Sequence, residues 1–313
     1  MELNFDVDIV YLWCDGNDPK FQKQRMAALE ATGKTLDKDS TSNFRFIDTD
    51  ELKYSLRSVE KFAPWIRNIY IVTFEQVPKW LDINHPKIKV IDHKDIIPAR
   101  YLPTFNSVAI EVFLPMIAGL SEHFLFANDD MFFWGKVGKE FFFNESGAPI
   151  CRVIKRNAKN VHSLYGKVID NSYRLILEKF GKSLMYWPHH GIDSYRKSDF
   201  LECINYFKED FERTASHKFR EMSDVQRMAV SFYAIAQKGA TLKEYSRKWY
   251  DFLIPTVPEV AYSSCNIKKM KHFKGKDFKL FCINDCKKTT DKDRIYMKEM
   301  LEERFPEKSA YEL

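Results

Sequence analysis

HFLFANDD (residues 123–130) is an apolar run that ends in an asparagine and two aspartates. The short aromatic and aliphatic run predicts a buried β-strand, and the polar residues predict the loop that follows it. Near the start of the chain, DVDIVYLW (6–13) has the same character and leads into the loop CDGNDP (14–19). Two acidic loops therefore follow two predicted strands.

Between these two stretches the sequence alternates helical and extended patterns. Asp48 and Glu51 have the spacing of a helix capping box, and apolar residues then recur at helical intervals as far as Phe62. A second helix is predicted over about 106–120, where Pro115 would kink or split it. Two more strands are predicted at NIYIVT (68–73) and KIKVID (87–92). The alternation predicts an α/β fold with a mostly parallel sheet, which binds ligands at the carboxyl ends of its strands.

The remainder of the chain shows weaker patterns. Helices are predicted over about 192–207, 223–237 and 291–304. The stretch 265–280 is strongly basic, with lysines at 268, 269, 271, 274, 276 and 279. These lysines would face acidic lipid or a phosphate-bearing polymer, or they would form an ordinary solvated surface.

Composition excludes several classes of protein. The 313 residues are 45% apolar, with few Gly and Pro, which is typical of a globular protein rather than a disordered one. The net charge of +5 suits anionic substrates or an anionic membrane surface and does not resemble a nucleic-acid-binding tail. No signal peptide and no stretch of about 18 apolar residues is recognised. We therefore expect a cytoplasmic protein, soluble or peripheral on the inner membrane face, with six free cysteines.

The acidic loops are the first candidates for chemistry. Asp129 and Asp130 suit Mg²⁺ or Mn²⁺, which prefer carboxylate oxygens and keep positions open for phosphate, although a polar turn is the plain alternative. Asp15 and Asp18 could contact a ribose, a sugar hydroxyl or the metal, but they are also ordinary turn formers.

Basic and sulfur-containing residues supply further candidates. His189 and His190 precede a predicted helix, and a histidine there could accept a proton from an attacking hydroxyl. Arg220 could hold phosphate oxygens, or lie in a solvated basic turn. Cys282 and Cys286 have a C-x₃-C spacing that is not the usual zinc knuckle, so structural zinc is not expected.

Four blocks of this sequence together resemble the Stealth family of capsule polysaccharide phosphotransferases. The blocks are DVDIVYLWCDGNDP (6–19), FRFIDTDELKYSLRSVEKFAPWIRNIYIVT (44–73) with LPTFNSVAIEVFLPMIAGLSEHFLFANDDMFF (102–133), PHHGID (188–193) with HKFREMSDVQ (217–226), and FCINDC (281–286). They cover about a third of the chain, in family order. The long second block is the most specific.

The resemblance implies a metal-dependent phosphotransferase of bacterial capsular or exopolysaccharide synthesis. Such an enzyme moves hexose-1-phosphate from a nucleoside diphosphate sugar, with UDP favoured, to a hydroxyl of a saccharide or lipid-linked saccharide, and it releases a nucleoside monophosphate. The implied fold is a nucleotide-sugar-transferase-like (GT-A/Rossmann-like) α/β core with helical additions. It forms one catalytic domain (1–313) with a nucleotide-sugar-binding half (1–135) and a helical, acceptor-side half (136–313).

The motifs also imply roles for individual residues. The catalytic positions are Asp15, His189, Arg220 and Asp285. The metal ligands, for Mg²⁺ or Mn²⁺, are Asp129 and Asp130. The substrate-binding positions are Asp18, Arg57, Asn106 and His190. The adjacent His190 leaves the identity of the general base open, and Glu221 stands where relatives often carry a histidine.

Two other functions are compatible with parts of this pattern. A metal-dependent glycosyltransferase would use the same acidic pair but would release a nucleoside diphosphate. A polysaccharide- or membrane-binding protein would use the aromatic residues and the basic stretch without turnover. No pattern indicates nucleic-acid binding.

Overall fold

The computed structural model describes residues 3–33, 36–155, 162–182, 186–245 and 259–313. The described strands are β1 (Val7–Leu12), β2 (Ile69–Thr73), β3 (Ile88–Asp92), β4 (His123–Asn128), β5 (Met131–Phe133), β6 (Ile150–Lys155), β7 (Tyr186–Pro188), β8 (Asp193–Arg196), β9 (Thr241–Tyr245), β10 (Val260–Ser264) and β11 (Leu280–Asn284). The described α-helices are α1 (Pro19–Ala31), α2 (Lys38–Thr41), α3 (Glu51–Phe62), α4 (His93–Ile96), α5 (Ser107–Glu111), α6 (Leu164–Phe180), α7 (Lys197–Tyr206), α8 (Lys208–Ser216), α9 (Met228–Gln237), α10 (Ile267–Phe273) and α11 (Asp291–Arg304).

The main sheet has the strand order β3-β2-β1-β4-β8. Its first four strands are parallel, and β8 is antiparallel at the edge beside β4. The chain builds outward from β1 through β2 to β3 and then returns to place β4 on the other side of β1, so the strand order reverses there. The predicted α/β fold with a mostly parallel sheet is confirmed. Leu12 pairs with Asn128, so the two acidic loops leave the sheet side by side.

Hydrophobic clusters cover both faces of this sheet. Alternate residues of β1 point to opposite faces: Val10 lies in the cluster with α6 and α9, and Ile9 lies in the cluster with α3. Both side chains are fully buried, and burying one such side chain contributes about 1.5–3 kcal/mol. A strand buried on both faces reads as an unbroken apolar run, which is why its prediction from sequence succeeded.

The described chain also forms two smaller, three-stranded sheets. Their strand orders are β10-β11-β5 and β7-β6-β9. Strand β5 directly follows the Asn-Asp-Asp loop, and it pairs antiparallel with β11, where Cys282 lies opposite Met131. Strands from both sides of the predicted division at residue 135 therefore share the main sheet and the β10-β11-β5 sheet.

Helices α3 and α7 begin later than predicted, and the helix predicted over 106–120 is split near Pro115, as its sequence indicated. Helix α3 begins at Glu51 rather than after Asp48, because Asp50 takes a left-handed conformation (φ 70°) and makes no side-chain cap. The predicted helix at 106–120 is split into α5 and a 3₁₀ turn (Leu114–Met116), since Pro115 has no N–H to donate. Residues 193–196 form β8, because they pair with the open edge of β4, and the helix starts only at Lys197.

The last of the predicted helices in the middle of the chain is shorter than expected: α9 begins at Met228 instead of Ser223. The predicted helix at 291–304 is confirmed as α11, whose Thr290 forms a capping box with Asp293. Within the described residues, we find no helix with both the length and the apolar character needed to cross a membrane. All six cysteines are free thiols.

Candidate active site

A cleft of about 960 Å³ opens at the carboxyl ends of β1 and β4. Its lining brings together residues from all four sequence blocks, including Cys14, Asp129, Asp130, His189, His190, Arg220 and Asp285. The predicted residues Asp15, Asp18, Arg57 and Asn106 lie outside that lining. Most of the predicted site thus converges on one cavity.

Helix α3 delivers a third carboxylate to the two aspartates. The helix packs on β5 through small side chains: Ser55 Oγ donates to the Met131 carbonyl at 2.5 Å, and Ser58 Oγ accepts from the Phe133 N–H at 3.0 Å. This close packing places Glu51, the first residue of the helix, in the cleft lining with Asp129. The Glu51 carboxylate accepts hydrogen bonds at 2.6 Å from both the N–H and the hydroxyl of Thr49.

The acidic side of the cleft disfavours the simultaneous ionisation of its carboxyl groups. Burial, and then the neighbouring Asp130, raise the pKa of Asp129 well above its usual range. Burial also raises the pKa of Glu51 to about 7 and that of Asp48 to about 6. Because buried carboxylates resist ionising together, this side of the cleft favours a bound cation.

Asp130 is held by hydrogen bonds from strand β11. Its Oδ2 accepts a hydrogen bond from Asn284 Nδ2 at 3.1 Å, and its carbonyl accepts one from the Ile283 N–H at 3.0 Å. Burial raises its pKa, and the hydrogen bond from Asn284 opposes that rise. Its other oxygen, Oδ1, is buried and has no hydrogen-bond partner in the described part of the chain.

The two histidines follow β7, and both line the cleft. The backbone N–H of His189 donates to the Arg152 carbonyl at 2.9 Å, which fixes the segment against β6. The His190 ring contacts Tyr165 and Tyr262 edge-on. Burial, then Arg227 and Arg220, lower the pKa of His190 to about 4, so its imidazole is neutral at pH 7. The predicted helix after this pair is β8 instead.

Two guanidinium groups, of the buried Arg227 and the partly buried Arg220, face the same cavity. Arg220 donates from Nη2 to the hydroxyl of Ser107, and burial lowers its pKa against the opposing charge of Glu111. Arg227 pairs with Asp193 at 2.9 Å, lies 4.0 Å from Glu111, and stacks over the ring of Phe126 at 4.3 Å. Guanidinium groups that are largely shielded from solvent are well suited to hold phosphate oxygens.

A hydrogen-bond network positions the loop that carries Arg220. Asp224 is fully buried; its Oδ1 lies 2.6 Å from His217 Nδ1, and its Oδ2 accepts from Asn106 Nδ2 at 2.9 Å. The Asn106 Oδ1 accepts from the Val108 N–H at 3.1 Å and so caps α5. Asn106 is completely buried, and we assign it to loop positioning instead of the predicted substrate contact.

The loop after β1 lies beside the cleft, and its carboxylates accept hydrogen bonds from backbone N–H groups of the same segment. Asp18 caps α1 by accepting from the Lys20 N–H at 2.8 Å, and it accepts a second hydrogen bond from Gln76 Nε2 at 3.0 Å. Asp15 accepts from the Asn17 N–H at 2.8 Å. Asp15 adjoins Cys14, which does line the cleft. Asp18 is therefore a structural cap, and Asp15 is placed at the edge of the site.

Arg57 occupies a different part of the molecule. Its Nε and Nη2 reach the two carboxylate oxygens of Glu312 at 2.8 and 2.7 Å, and its Nη1 donates to the Phe305 carbonyl at 2.7 Å. These contacts use the guanidinium to fasten the end of the chain to α3. We therefore replace the predicted role in substrate binding with a structural one.

Asp285 lies in the cleft lining, as the fourth block suggests. Its Oδ2 accepts from Arg294 Nε at 2.8 Å, and its Oδ1 accepts from the Cys286 N–H at 2.6 Å. The loop after β11 is thereby tied to α11, next to Asn284 and Asp130.

Four lining residues were missed from sequence: Glu51, Glu111, Asp193 and Arg227. A signal existed for Glu111, which stands alone as a charge in the otherwise apolar run SVAIEVF, and for Asp193, which lies within PHHGID. Arg227 and Glu51 have no such signal, because each is an ordinary residue at the start of a helix.

Comparison with known proteins identifies conserved regions in this chain. Stealth protein conserved region 1 matches residues 5–33, conserved region 2 matches 45–151, and conserved region 3 matches 189–234. The loop after β11 lies outside these three ranges.

Curated relatives match nearly the whole chain. A protein named exopolysaccharide phosphotransferase from Streptomyces coelicolor is 36% identical over 99% of this chain and 58% of the relative. The exopolysaccharide phosphotransferase CpsY of Mycobacterium tuberculosis is 36% identical over 90% of this chain and 52% of its own length. The chain thus spans little more than half of these two relatives. For cps2G of Lactiplantibacillus plantarum, named likewise, the identity is 32% over 90% of this chain and 88% of the relative.

Two solved structures align over most of the chain at low identity. One is the inositol-1-phosphate CTP transferase from T. maritima, with 12% identity, a TM-score of 0.42, and coverage of 96% of this chain and 98% of the other. The other is the galactosyltransferase LgtC, with 10% identity, a TM-score of 0.46 and coverage of 95% of each chain.

Proposed function

The chain belongs to the Stealth family, and from this premise we propose that it is a sugar-1-phosphate transferase of exopolysaccharide or capsule synthesis. The donor is a nucleoside diphosphate sugar, and UDP is the favoured carrier. The acceptor is a hydroxyl of a saccharide, free or lipid-linked. The single observation that carries the proposal is the cleft in which two guanidinium groups, two histidines and an acidic pair share one cavity.

The proposed reaction breaks one bond of the pyrophosphate. The acceptor oxygen attacks the β-phosphorus, a new P–O bond forms, and the bond from that phosphorus to the bridging oxygen breaks. The nucleoside monophosphate leaves with the bridging oxygen, and the hydroxyl proton passes to a base. The product is a saccharide joined to hexose-1-phosphate through a phosphodiester.

The two arginines supply fixed positive charge for this step. Both lie at the cleft in buried surroundings, where their interaction with phosphate oxygens is weakly screened. Burial by itself would lower the pKa of Arg227, but Tyr195, Glu111 and Asp193 raise it overall, so the group stays charged. We assign Arg220 to the transferred phosphoryl group because Arg227 is already paired with Asp193 at 2.9 Å.

The acidic pair fits a divalent cation. Asp129 and Asp130 are two partly buried carboxylates with raised pKa values, and the inaccessible Asp130 Oδ1 lacks a hydrogen-bond partner within the described ranges. With Asp285 nearby in the lining, they are the residues that would hold Mg²⁺ or Mn²⁺. When bound, such an ion neutralises pyrophosphate charge.

The histidines divide the remaining tasks in this proposal. His189 accepts the proton of the attacking hydroxyl, since it occupies the motif position and lines the cleft. His190 is a weak base, because its pKa of about 4 lies far below working pH, and it serves as a neutral contact to the substrate. We propose that Asp15, at the edge of the site, contacts the nucleoside diphosphate sugar.

Location and membrane contact remain part of the proposal. We place the enzyme in the cytoplasm, on the inner membrane face, where lipid-linked acceptors are present. The support is the basic segment of α10 and the loop after it, in which Lys268, Lys271 and Lys274 are exposed. Lys274 is paired with Glu303 at 2.6 Å, so part of this charge is already balanced.

The released nucleotide tests the proposed chemistry. Purified protein is incubated with UDP-hexoses or UDP-N-acetylhexosamines, a saccharide acceptor and Mg²⁺, and the nucleotide is identified by chromatography. Release of UMP that depends on both acceptor and enzyme supports the phosphotransferase. Release of UDP would instead identify a glycosyltransferase that attacks the anomeric carbon.

A further inference from the structure

Three different ligand types meet beside the cleft. One carboxylate oxygen of Asp130, one ring nitrogen of His190 and the Sγ of Cys282 all lie within 4.8 Å of one another. Across the described ranges of the chain, this is the one group of three or more His, Cys, Asp or Glu side chains whose ligand atoms come so close.

Two of these side chains carry buried atoms without a hydrogen bond. Asp130 Oδ1 and His190 Nε2 are both inaccessible to solvent and have no partner in the described structure. A buried polar atom that lacks a partner destabilises the fold by about 1–3 kcal/mol, and an ion bound between these two atoms would satisfy both. Cys282 is fully buried beside them.

The fold holds the trio from three directions. Asp130 lies just before β5, and Cys282 lies on β11, opposite Met131 in the antiparallel pair. His190 comes from the segment after β7, which approaches the β10-β11-β5 sheet closely: a Cβ on Gly191 would lie only 3.2 Å from Val260 Cγ1. A larger residue at 191 would push His190 away from the sheet.

The mixture of donors does not match a magnesium site. Mg²⁺ takes oxygen ligands and rarely accepts sulfur, whereas a thiolate, an imidazole and a carboxylate are common ligands of Zn²⁺, Co²⁺ and Cd²⁺. Three protein ligands also leave a position open to the cleft. On binding, the thiol transfers its proton to water and coordinates as a thiolate.

We propose that Asp130, His190 and Cys282 form a binding site for a zinc-class ion, and that this ion competes with Mg²⁺ for Asp130. The C-x₃-C motif plays no part in it, since Cys286 is absent from the trio. Ion binding by the trio is independent of the reaction. Only the inhibition that follows from losing Asp130 rests on the proposed function.

Cobalt reports this binding directly. Co²⁺ is titrated into the full chain at neutral pH, and the thiolate-to-Co²⁺ charge-transfer band is followed. We expect one equivalent to produce the band in the wild type. The matched control Cys286→Ser, which loses a thiol outside the trio and keeps Cys282, should show the same band. Cys282→Ser should lose the band, and His190→Gln should weaken Co²⁺ binding at least tenfold, with the folds checked by circular dichroism.

Two spectral outcomes would contradict the proposed metal site. If the folded wild type binds Co²⁺ without a thiolate band, or if folded Cys282→Ser keeps the band, the site does not exist. The wild-type spectrum tests the proposal without any variant, so the test remains valid even if Cys282→Ser does not fold.

The competition is tested on turnover. With Mg²⁺ fixed, micromolar Zn²⁺ should lower wild-type turnover at least tenfold, excess Mg²⁺ or a zinc chelator should restore it, and Cys282→Ser should be inhibited much less. Equal inhibition of both proteins, or turnover sustained by Zn²⁺ alone, would overturn the competition. If no condition gives turnover while the Co²⁺ band is present, the proposed function fails and the metal site stands.

Discussion

Asn284 Nδ2 donates a hydrogen bond to Asp130 Oδ2 at 3.1 Å, across 154 positions of the sequence. The bond joins the end of β11 to the acidic loop between β4 and β5, and it sets the orientation of a carboxylate that we assign to metal binding. The middle of the chain and its C-terminal part therefore contribute to one candidate site, because β5 and β11 pair in the same small sheet.

Removing one charge of the acidic pair should separate activity from stability. Asp130→Asn is expected to lower turnover by at least a hundredfold, because pyrophosphate charge is left unneutralised. Asp129→Asn should lose turnover similarly, yet without added metal at pH 7–8 it should raise the free energy of unfolding, since the cost of ionising Asp129 beside Asp130 disappears. Thermal melts with and without Mg²⁺ check this, and a less stable Asp129→Asn would contradict it.

Arg227 and Asp193 should behave as a buried pair. Arg227→Met leaves the Asp193 carboxylate, 2.9 Å away in the native protein, buried without its partner, and should reduce the free energy of unfolding by about 3–5 kcal/mol. The double variant Arg227→Met, Asp193→Asn should recover a large part of that loss in denaturant titrations. Additive losses in the double variant would show that the pair is not coupled.

Asn106 is expected to act through the loop of Arg220. Asn106→Ala leaves Asp224 with one donor fewer in a fully buried place, so we expect a loss of stability of about 1–3 kcal/mol. Because the loop then no longer fixes Arg220, kcat should fall more than KM rises. Ser216→Ala, in the same region but exposed, is the control. A rise in KM alone would favour direct substrate contact.

Arg57→Met tests the corrected role of that residue. It removes both hydrogen bonds to Glu312, a carboxylate whose side chain is only 5% exposed, and should lower the free energy of unfolding by about 3 kcal/mol. At temperatures where the variant stays folded, KM for the donor should remain unchanged. A large rise in KM with an unchanged Tm would instead restore the substrate-binding assignment.

His93 should make stability depend on acid pH. Burial lowers the pKa of His93 from 6.5 to about 4, so the folded state prefers the neutral ring. The resulting stability is complete above pH 6.5 and is lost as pH falls through about 4, by about 3 kcal/mol in total. His93→Phe should therefore flatten the drop in the free energy of unfolding between pH 6.5 and 4.5. An equally steep drop in the variant would assign it to other groups.

Sequence patterns predicted the buried strands well and the edges of the fold poorly. β1, β2 and β4 were located because a strand buried on both faces is a mostly apolar local run, and the edge strand β3 was located from its alternation of apolar and polar residues. Residues 193–196 were expected to be helical, and only their pairing with β4, some 70 positions earlier, makes them a strand. By contrast, the split of the 106–120 helix was predicted, because a proline is a local signal.

The site shows the same division. The acidic pair, both histidines, Arg220 and Asp285 reach one cleft, as the family motifs implied. Arg57 and Asn106 lie within the same conserved stretch but serve the structure, and motif membership alone could not distinguish the two roles. Glu111 and Arg227 meet only after α5 and α9 pack on the sheet, so no spacing along the sequence relates them.

Transfer of an isotopic label tests the central claim most directly. UDP-sugar labelled with ³²P in its β-phosphate is incubated with the enzyme, Mg²⁺ and an acceptor saccharide. The proposed chemistry predicts that the label appears in the saccharide product while unlabelled UMP is released, and that Arg220→Lys or removal of divalent ions suppresses both. Label that stays with the nucleotide as UDP, while the acceptor gains only the sugar, would contradict the account.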